Sequence, residues 1–292
     1  MLPALRSRSV LLRALLPLLG LCATYAADPA SGGTAPATDA NPPRWRYETM
    51  RPGDLQEALR SRAIAWLVVS PLEWHGEAIA FSADPVVGMA VAETAWKRVG
   101  GVLIPTLYLG AETEYKQWEK DGLKTYWGME VISKEHNPGS LYLRPTTLEL
   151  VVRDYLAALQ REGFKLCVVV TGHGALEHVQ VLEEVCRRPF GAMRTLVWRA
   201  GHSENLPMEL EFKNVGPHAD VSEASLVGAV NDKLVDRAAF GVTPRDRKTG
   251  LRHENAGDID FAKGRAVIDF NARQLAEAVE RLQREEAARA GP

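Results

Sequence analysis

Short continuous apolar runs alternate with longer amphipathic segments over most of this 292-residue chain. Four apolar runs have the length and composition of buried strands, at residues 64–70, 102–110, 165–172 and 194–200. Five amphipathic segments are expected to be helices, at residues 85–100, 146–164, 175–188, 221–235 and 270–290. Continuous apolar strands that alternate with helices predict a parallel sheet covered on both faces. We therefore expect an α/β fold with three layers, α/β/α, and a mostly parallel central sheet.

Two prolines refine this pattern. Pro105 interrupts the second apolar run, so that strand is expected to be bent or to lie at an edge of the sheet. Pro85 is expected in the first turn of the helix at 85–100, with Asp84 as its N-cap and Gly100 just after its end.

The alternation fails between Gly110 and Leu141. This segment contains a charged and aromatic insert at about 111–137, without a sustained helical or strand period. A segment of this length inside a compact domain is usually functional and often covers a site. We expect a lid or a subunit-contact arm, and the alternative is a surface insertion without a function.

The N-terminus has the layout of a secretory signal peptide. Arg6, Arg8 and Arg13 precede a short apolar stretch, and small residues stand at positions 24 and 26. We expect a signal peptide at 1–26, a disordered linker at 27–43 and a single domain at 44–292. The protein would then be periplasmic or secreted. The alternatives are a short N-terminal membrane anchor and lipidation of Cys22.

The charge of the chain argues against nucleic acid as a partner. The formal net charge is −2, and removal of the three signal-peptide arginines lowers it to −5 and leaves no basic run. No later segment is long and apolar enough to span a membrane. Cys167 lies in an apolar run and is expected to be a buried free thiol. The alternative is a disulfide with Cys186 in an oxidising compartment.

Acidic and imidazole side chains follow two of the predicted strands. Glu73 and His75 come just after the first strand, and Asp84 precedes the next helix. His173 stands between two glycines just after the third strand. Because ligands of open α/β sheets bind at the carboxyl ends of the strands, we expect these four side chains at one edge of the sheet. Two carboxylates and two imidazoles are a suitable ligand set for one or two divalent ions.

Most of these residues also have an explanation without a metal. Asp84 is a good N-cap, and Glu73 and His75 fit solvated or partly buried loop positions. Asp220 and Glu223 fit a capping box at the start of the helix at 221–235. The histidine between two glycines is the hardest to explain in this way, because a strand end gives it little to pack against. The residues alone leave both interpretations open.

The order and spacing of these motifs resemble the creatininase family. The matching segments are PLEWHG at 71–76, Asp84, VVTGHG at 169–174 and HADVSEAS at 218–225. NPGSLYLRPTTL at 137–148 is similar to a further family segment, and the resemblance covers about residues 55–285. It implies a creatininase-like α/β/α fold for the whole region.

The resemblance also implies roles for individual residues. The expected metal ligands are all carboxylates or imidazoles: Glu73, His75, Asp84, His173 and Glu223. Asp84 would bridge two divalent ions, with zinc expected first and manganese or iron as alternatives. His218 would give a proton to the leaving nitrogen, and Trp198 matches an active-site tryptophan that contacts substrate. The resemblance further implies a homo-oligomer.

The function implied is that of a dinuclear metal-dependent hydrolase acting on C–N bonds other than typical peptide bonds. We expect it to cleave the amide bond of a small cyclic or formyl-type amide through a hydroxide that bridges the metal ions. His218 and Glu223 are the expected catalytic residues. The alternatives are a metallopeptidase acting on a short peptide and an inactive secreted protein that binds a metal or another ligand.

We predict that the exported protein begins at Ala27, because the small residues at 24 and 26 favour cleavage after Ala26. N-terminal sequencing of the protein recovered from outside the cytoplasm measures this directly. Recovery of a chain that still begins at Met1 would contradict the prediction.

Overall fold

The computed structural model describes residues 45–133, 136, 138–201, 206–213, 218–240 and 256–290. These residues all belong to one compact unit that begins at Asn41. The predicted signal peptide and the whole predicted linker lie outside the described residues, so both stay predictions. Among the described residues, no helix combines the length and the apolar character that a membrane span requires.

Six strands occur in this part of the chain. They are β1 (Ile64–Val69), β2 (Val102–Leu107), β3 (Glu114–Glu119), β4 (Gly122–Trp127), β5 (Leu166–Thr171) and β6 (Arg194–Arg199). The main sheet has the order β2-β1-β5-β6, and every neighbouring pair is parallel. β2 contains Pro105 and lies at the edge, with a register shift against β1 between Leu67 and Val69. This confirms the position expected from the proline, since an edge strand tolerates a residue without an N–H.

Helices cover both faces of this sheet. In chain order they are α1 (Pro52–Arg62), α2 (Ala83–Val99), α3 (Glu130–Ser133), α4 (Pro145–Glu162), α5 (Leu176–Arg187), α6 (Val221–Val230) and α7 (Phe261–Ala290). Single 3-10 turns occur at Tyr47–Thr49, Met208–Leu210, Asp232–Leu234 and Ala256–Asp258. α1 was not predicted, because its apolar stripe is short: only Leu55, Ala58 and Leu59 pack against the core, and none of its residues is fully buried.

Alternate side chains of β1 face two separate hydrophobic cores. Ile64, Trp66 and Val68 pack with buried residues of α2, α6 and α7. Leu67 and Val69, on the opposite face, pack with buried residues of α4 and α5. All six residues of β1 are buried, which explains why the strand is a continuous apolar run. The three-layer α/β/α prediction is confirmed.

The predicted element boundaries fail where polar groups decide them. α2 begins at Ala83, and its first hydrogen bond runs from Val86 N to Ser82 O at 3.0 Å, so the prediction of Asp84 as N-cap is wrong. α6 ends at Val230 rather than at 235. Asn231 is extended, and its side chain accepts a hydrogen bond from Lys233 N, which starts a separate turn.

The insert contains regular structure that the sequence analysis did not predict. β3 and β4 form an antiparallel hairpin, with Trp118 opposite Leu123. Most residues of both strands are exposed on both faces, so hydrophobic alternation, the usual signal of a strand, is absent. Polar contacts hold the hairpin instead, including the hydroxyl of Tyr126 donating to Glu119 at 2.6 Å. We call residues 114–127 the hairpin arm.

Candidate metal centre

The candidate site lies where the chain reverses its direction of travel across the sheet. From β1 the chain first moves outward to β2 and later returns to β5 on the other side of β1. Ligands of open α/β sheets bind at such a switch point, beside the carboxyl ends of the strands. The ends of the two strands are joined by Ser70 Oγ, which lies 3.2 Å from Thr171 Oγ1 and accepts a hydrogen bond from Gly172 N at 3.0 Å.

Gly172 allows the first turn of α2 to approach the end of β5. A Cβ atom at this position would lie 2.2 Å from the carbonyl oxygen of Asp84, closer than any side chain permits. The glycine before His173 is therefore required by the fold, and it places His173 beside Asp84.

Asp84 directs its two carboxylate oxygens toward two different histidines. Oδ1 lies 3.6 Å from His75 Nε2, and Oδ2 lies 3.0 Å from His173 Nδ1. Burial disfavours the ionised carboxyl, but the two imidazoles outweigh it and hold the pKa of Asp84 well below its usual range. A buried anion between two imidazole nitrogens has the arrangement that a carboxylate bridging two cations requires.

His75 has a nitrogen that the protein leaves without a partner. Its Nδ1–H donates to the carbonyl oxygen of Glu73 at 3.0 Å, so Nε2 carries the lone pair of the neutral ring. This Nε2 is buried and has no hydrogen-bond partner among the described residues. Buried polar nitrogens are normally satisfied, and an unsatisfied one facing carboxylates fits a metal ligand.

Glu73 is held from both sides. The hydroxyl of Tyr142 donates to Oε1 at 2.7 Å, and Oε2 lies 2.8 Å from His173 Nδ1. Burial disfavours ionisation of Glu73, but His173 and His218 outweigh it and lower the pKa. The carboxylate is therefore ionised and oriented before any ion binds.

Two groups of three side chains have the spacing of metal ligands. Glu73 belongs to both groups: one adds Asp84 and His173, the other His75 and His218. Within each group the ligand atoms lie within 4.8 Å of one another, and all five residues are buried. Carboxylate oxygens and imidazole nitrogens are suitable donors for zinc or manganese, so the residues present fit two divalent ions.

The carboxylates around the two ligand histidines raise the pKa values of both imidazoles. Burial lowers the pKa of both, but contact with Asp84 and the neighbouring glutamates outweighs it. The pKa of His75 is raised to about 10, and that of His173 is raised well above its usual value. A divalent ion bound by these two histidines would replace such protons and release them.

His218 lies just before α6, and Glu223 lies in the first turn of that helix. The Nε2–H of His218 donates to the carbonyl oxygen of Trp74 at 2.6 Å, which leaves Nδ1 for another partner. Ala219 has a left-handed backbone with φ of 52°, an uncommon conformation for a residue other than glycine. It directs its N–H to the carboxylate of Glu223, which also lies 3.9 Å from His75 Nε2.

Asp220 caps α6, as expected. Its Oδ1 accepts hydrogen bonds from Ser222 N at 2.8 Å and from Glu223 N at 3.1 Å. The second half of the predicted capping box differs, because the Glu223 carboxylate accepts its hydrogen bond from Ala219 N, one residue before the N-cap.

A cavity of about 330 Å³ opens onto these side chains, a volume suited to a small molecule. Most predicted metal ligands, His218 and part of the insert contribute to its wall: Glu73, Asp84, Glu112, Tyr115, Gly128, Met129, Val131, Gly172, His173, Gly174, Ala175, His218 and Glu223. The insert therefore forms one wall of the cavity.

Trp198 is not among the described residues that line this cavity. It lies in β6, where its indole N–H donates to Asn271 Oδ1 at 2.6 Å and its ring packs against the core on the α7 side. Cys167 is buried in β5, and both Cys167 and Cys186 are free thiols, as expected for Cys167.

The sequence analysis missed three residues around the site. Tyr142 orients Glu73, Glu112 faces His173, and His178 lies behind His173 in a buried edge-on contact. Burial lowers the pKa of His178 to about 3, so its ring is neutral, with Nδ1 accepting from Ala111 N. His178 lies five residues after His173 on an otherwise ordinary amphipathic helix, and a sequence pattern does not separate it from a core residue.

Known proteins with similar sequences point to one family. The family model for creatininase (creatinine amidohydrolase) matches residues 48–282. A creatinine amidohydrolase from Pseudomonas putida is 29% identical over 110 residues, which are 38% of this chain and 37% of that protein. The chain thus aligns with little more than a third of the length of this relative.

Solved creatininase structures share the fold. A manganese form has a TM-score of 0.62 at 19% identity, covering 81% of this chain and 98% of the other. A zinc–zinc form of a creatininase mutant has a TM-score of 0.61 at 19% identity, covering 81% of this chain and 97% of the other.

We predict that Asp84→Asn loses most of the bound metal and nearly all activity. Asparagine keeps the shape of the side chain but removes the negative charge that a bridge between two cations needs. Since Asp84 is not a helix cap, the loss of metal will not come from a weakened helix start. Metal analysis after dialysis, together with turnover, measures the effect.

Asp220→Asn is the matched control, because asparagine caps a helix about as well as aspartate. Its stability should stay within about 0.5 kcal/mol of the unsubstituted protein, with metal content unchanged. Full metal occupancy and turnover in Asp84→Asn would refute the bridging role.

Proposed function

The chain belongs to the creatininase (creatinine amidohydrolase) family, and we propose from this membership that it is a metal-dependent hydrolase of a small cyclic or formyl-type amide. The observation that carries the proposal is the Asp84 carboxylate, whose two oxygens face His75 Nε2 and His173 Nδ1 inside a small cavity. An ordinary salt bridge or helix cap gives no reason for such an arrangement. Two divalent ions would explain the arrangement, because each ion would bind one of the two imidazoles and share the Asp84 carboxylate with the other ion.

We propose two ligand groups around Asp84. Glu73, Asp84 and His173 would hold one ion, and His75, Asp84 and Glu223 would hold the other. Divalent ions held in this way lower the pKa of water and polarise a carbonyl oxygen, which is the chemistry that amide hydrolysis needs. Zinc is our first proposal and manganese the second, because both suit this mixture of oxygen and nitrogen donors.

The protein's own side chains would orient the ligands. Tyr142 fixes Glu73 by donating to Oε1, so that Oε2 is directed at the site of the first ion. The carbonyl of Glu73 fixes the ring of His75 with Nε2 inward. Such partners hold ligands in place and increase their basicity.

His218 is our candidate for the general acid. It lines the cavity, and the carbonyl oxygen of Trp74 holds its Nε2–H, which leaves Nδ1 for proton exchange inside the site. An amine is a poor leaving group unless it is protonated, so amide cleavage needs a donor at this place. Glu223 is less buried than the other ligands, with a side chain 31% exposed, and it is placed to exchange protons with solvent.

The size and wall of the cavity suggest a small substrate. About 330 Å³ is near the lower end of the range for ligand pockets. Tyr115, Met129 and Val131 of the insert add apolar groups to the wall of the cavity. We propose that the insert contributes to substrate selection, and that the exposed pair of Trp118 and Leu123 on the hairpin arm contacts a second copy of the chain.

The layout of residues 1–26 supports export, and we propose a periplasmic or secreted enzyme on that basis alone.

We predict that the protein loaded with zinc or manganese hydrolyses at least one member of a panel of lactams, formamides and short peptides. Turnover should be lost after chelation, return when metal is added, and require Asp84. Release of the new amine measures the reaction, and metal analysis gives the number of ions per chain.

The outcomes of this experiment separate the candidate functions. Hydrolysis of lactams or formamides supports the proposal, and cleavage restricted to peptides would make the protein a metallopeptidase. Two bound ions without turnover would indicate a binding protein that lacks catalysis. A protein without bound metal would contradict both enzyme candidates and favour an inactive protein that binds another ligand.

A further inference from the structure

The start of the insert is fixed to the body of the protein at three points. Gly110 O accepts a hydrogen bond from Leu143 N at 2.7 Å. Ala111 N donates to His178 Nδ1 at 3.3 Å, and the hydroxyl of Thr113 donates to the carboxylate of Glu177. The last two contacts reach the first turn of α5. Residues 110–113 therefore have little freedom to move relative to that helix.

Glu112 lies between these anchors and is directed inward. It is a buried carboxylate, 9% exposed, and it lines the cavity. Its Oε1 accepts a hydrogen bond from Thr113 N at 2.8 Å, and its Oε2 lies 3.4 Å from His173 Nε2. Neither the charge pattern nor the motifs of the sequence single out this glutamate.

Gly128 directly follows the hairpin arm and lies close to the side chain of Glu112. Its N–H donates to Thr113 O at 3.0 Å and closes the arm, and its φ is 51°. A Cβ atom at Gly128 would lie 2.6 Å from Cγ of Glu112. The close approach of Gly128 and the hydrogen bond from Thr113 N therefore restrict the Glu112 side chain.

The two nitrogens of His173 have different surroundings. Nδ1 faces Glu73 and Asp84, the carboxylates of the first proposed ion site. Nε2 faces Glu112 Oε2 at 3.4 Å and the carbonyl oxygen of Ala111 at 3.3 Å. A histidine that binds an ion through one nitrogen carries its proton on the other, and that proton needs an acceptor. Ala111 and Glu112 supply two acceptors from adjacent residues.

We propose that Glu112 is a positioning residue which accepts the Nε2–H of His173, fixes Nδ1 as the metal-binding nitrogen and strengthens it as a ligand. Through Glu112 the insert sets the metal affinity of the ion site at His173. The same segment that forms a wall of the substrate cavity therefore also supports one metal ligand. This inference rests on the proposed function, since it needs an ion at Glu73, Asp84 and His173.

Substitutions at Glu112 separate the chemistry of the carboxylate from its volume. Glu112→Gln keeps the size and one acceptor oxygen, whereas Glu112→Leu keeps a similar size without an acceptor. Zinc affinities of the metal-free full chain are measured by competition with a chromophoric chelator, which resolves the two ions. We expect Glu112→Leu to weaken one of the two ions by about 10–100-fold, as for other partners of metal-bound histidines, and to leave the other within about threefold.

Glu112→Gln should lie between the unsubstituted protein and Glu112→Leu. A residue that only fills space predicts equal affinities for all three proteins. Gly128→Ala is a second route to the same effect, because its Cβ displaces the carboxylate without removing it, and it should also weaken one ion. Glu114→Gln is the control, since it removes a charge of the arm that pairs with Lys116 at 3.2 Å and leaves Glu112 unchanged.

The result distinguishes this inference from the proposed function. Two ions bound with unchanged affinity in Glu112→Leu would overturn the role of Glu112 and leave the proposed function intact. Failure of the unsubstituted protein to bind any ion would overturn the proposed function, and the inference with it. A graded loss at one ion, with Glu114→Gln unchanged, supports the inference whichever amide the enzyme hydrolyses.

Discussion

The site depends on a buried concentration of charge that the protein cannot neutralise with its own uncharged groups. Glu73, His75, Asp84 and His173 are each less than a tenth exposed. Ionised groups out of water are costly unless they are paired, and apart from the Tyr142 hydroxyl on Glu73 the side chains that face the carboxylates of Glu73 and Asp84 are imidazoles. Among the described residues, His75 Nε2 has no hydrogen-bond partner even so. Divalent ions would resolve both problems, because they would compensate the carboxylates and use the lone pairs of the imidazoles.

The fold brings these charges together at small conformational cost. Parallel strands β1 and β5 end side by side, and the hydroxyls of Ser70 and Thr171 join their ends. Gly172 then allows the backbone of α2 to approach within contact, so that Asp84 reaches across to both histidines. The hydrophobic cores on either face of β1 stabilise this geometry independently of the site. The site residues therefore lie in loops and in the first turns of helices that a rigid sheet positions.

The sequence predicts those parts of the structure that depend on local pattern. The strands of the main sheet and the loops with Glu73, His75 and His173 follow from buried apolar runs and the residues just after them. The hairpin arm was missed because both its faces are exposed, and Glu112 because its importance depends on contacts with His173 and Gly128, which are distant in the sequence. The helix-cap interpretation of Asp84 was wrong, because the carboxylate faces the two histidines and the helix starts two residues earlier than predicted, at Ala83.

The central claim is that Asp84 lies between two divalent ions. Anomalous diffraction at the zinc edge, from crystals of the zinc-loaded protein, tests it most directly. The account predicts two peaks about 3.5–4 Å apart on opposite sides of the Asp84 carboxylate. One should lie about 2.0–2.1 Å from His75 Nε2, and the other at the same distance from His173 Nδ1. A single peak, or peaks that do not contact Asp84, would contradict it.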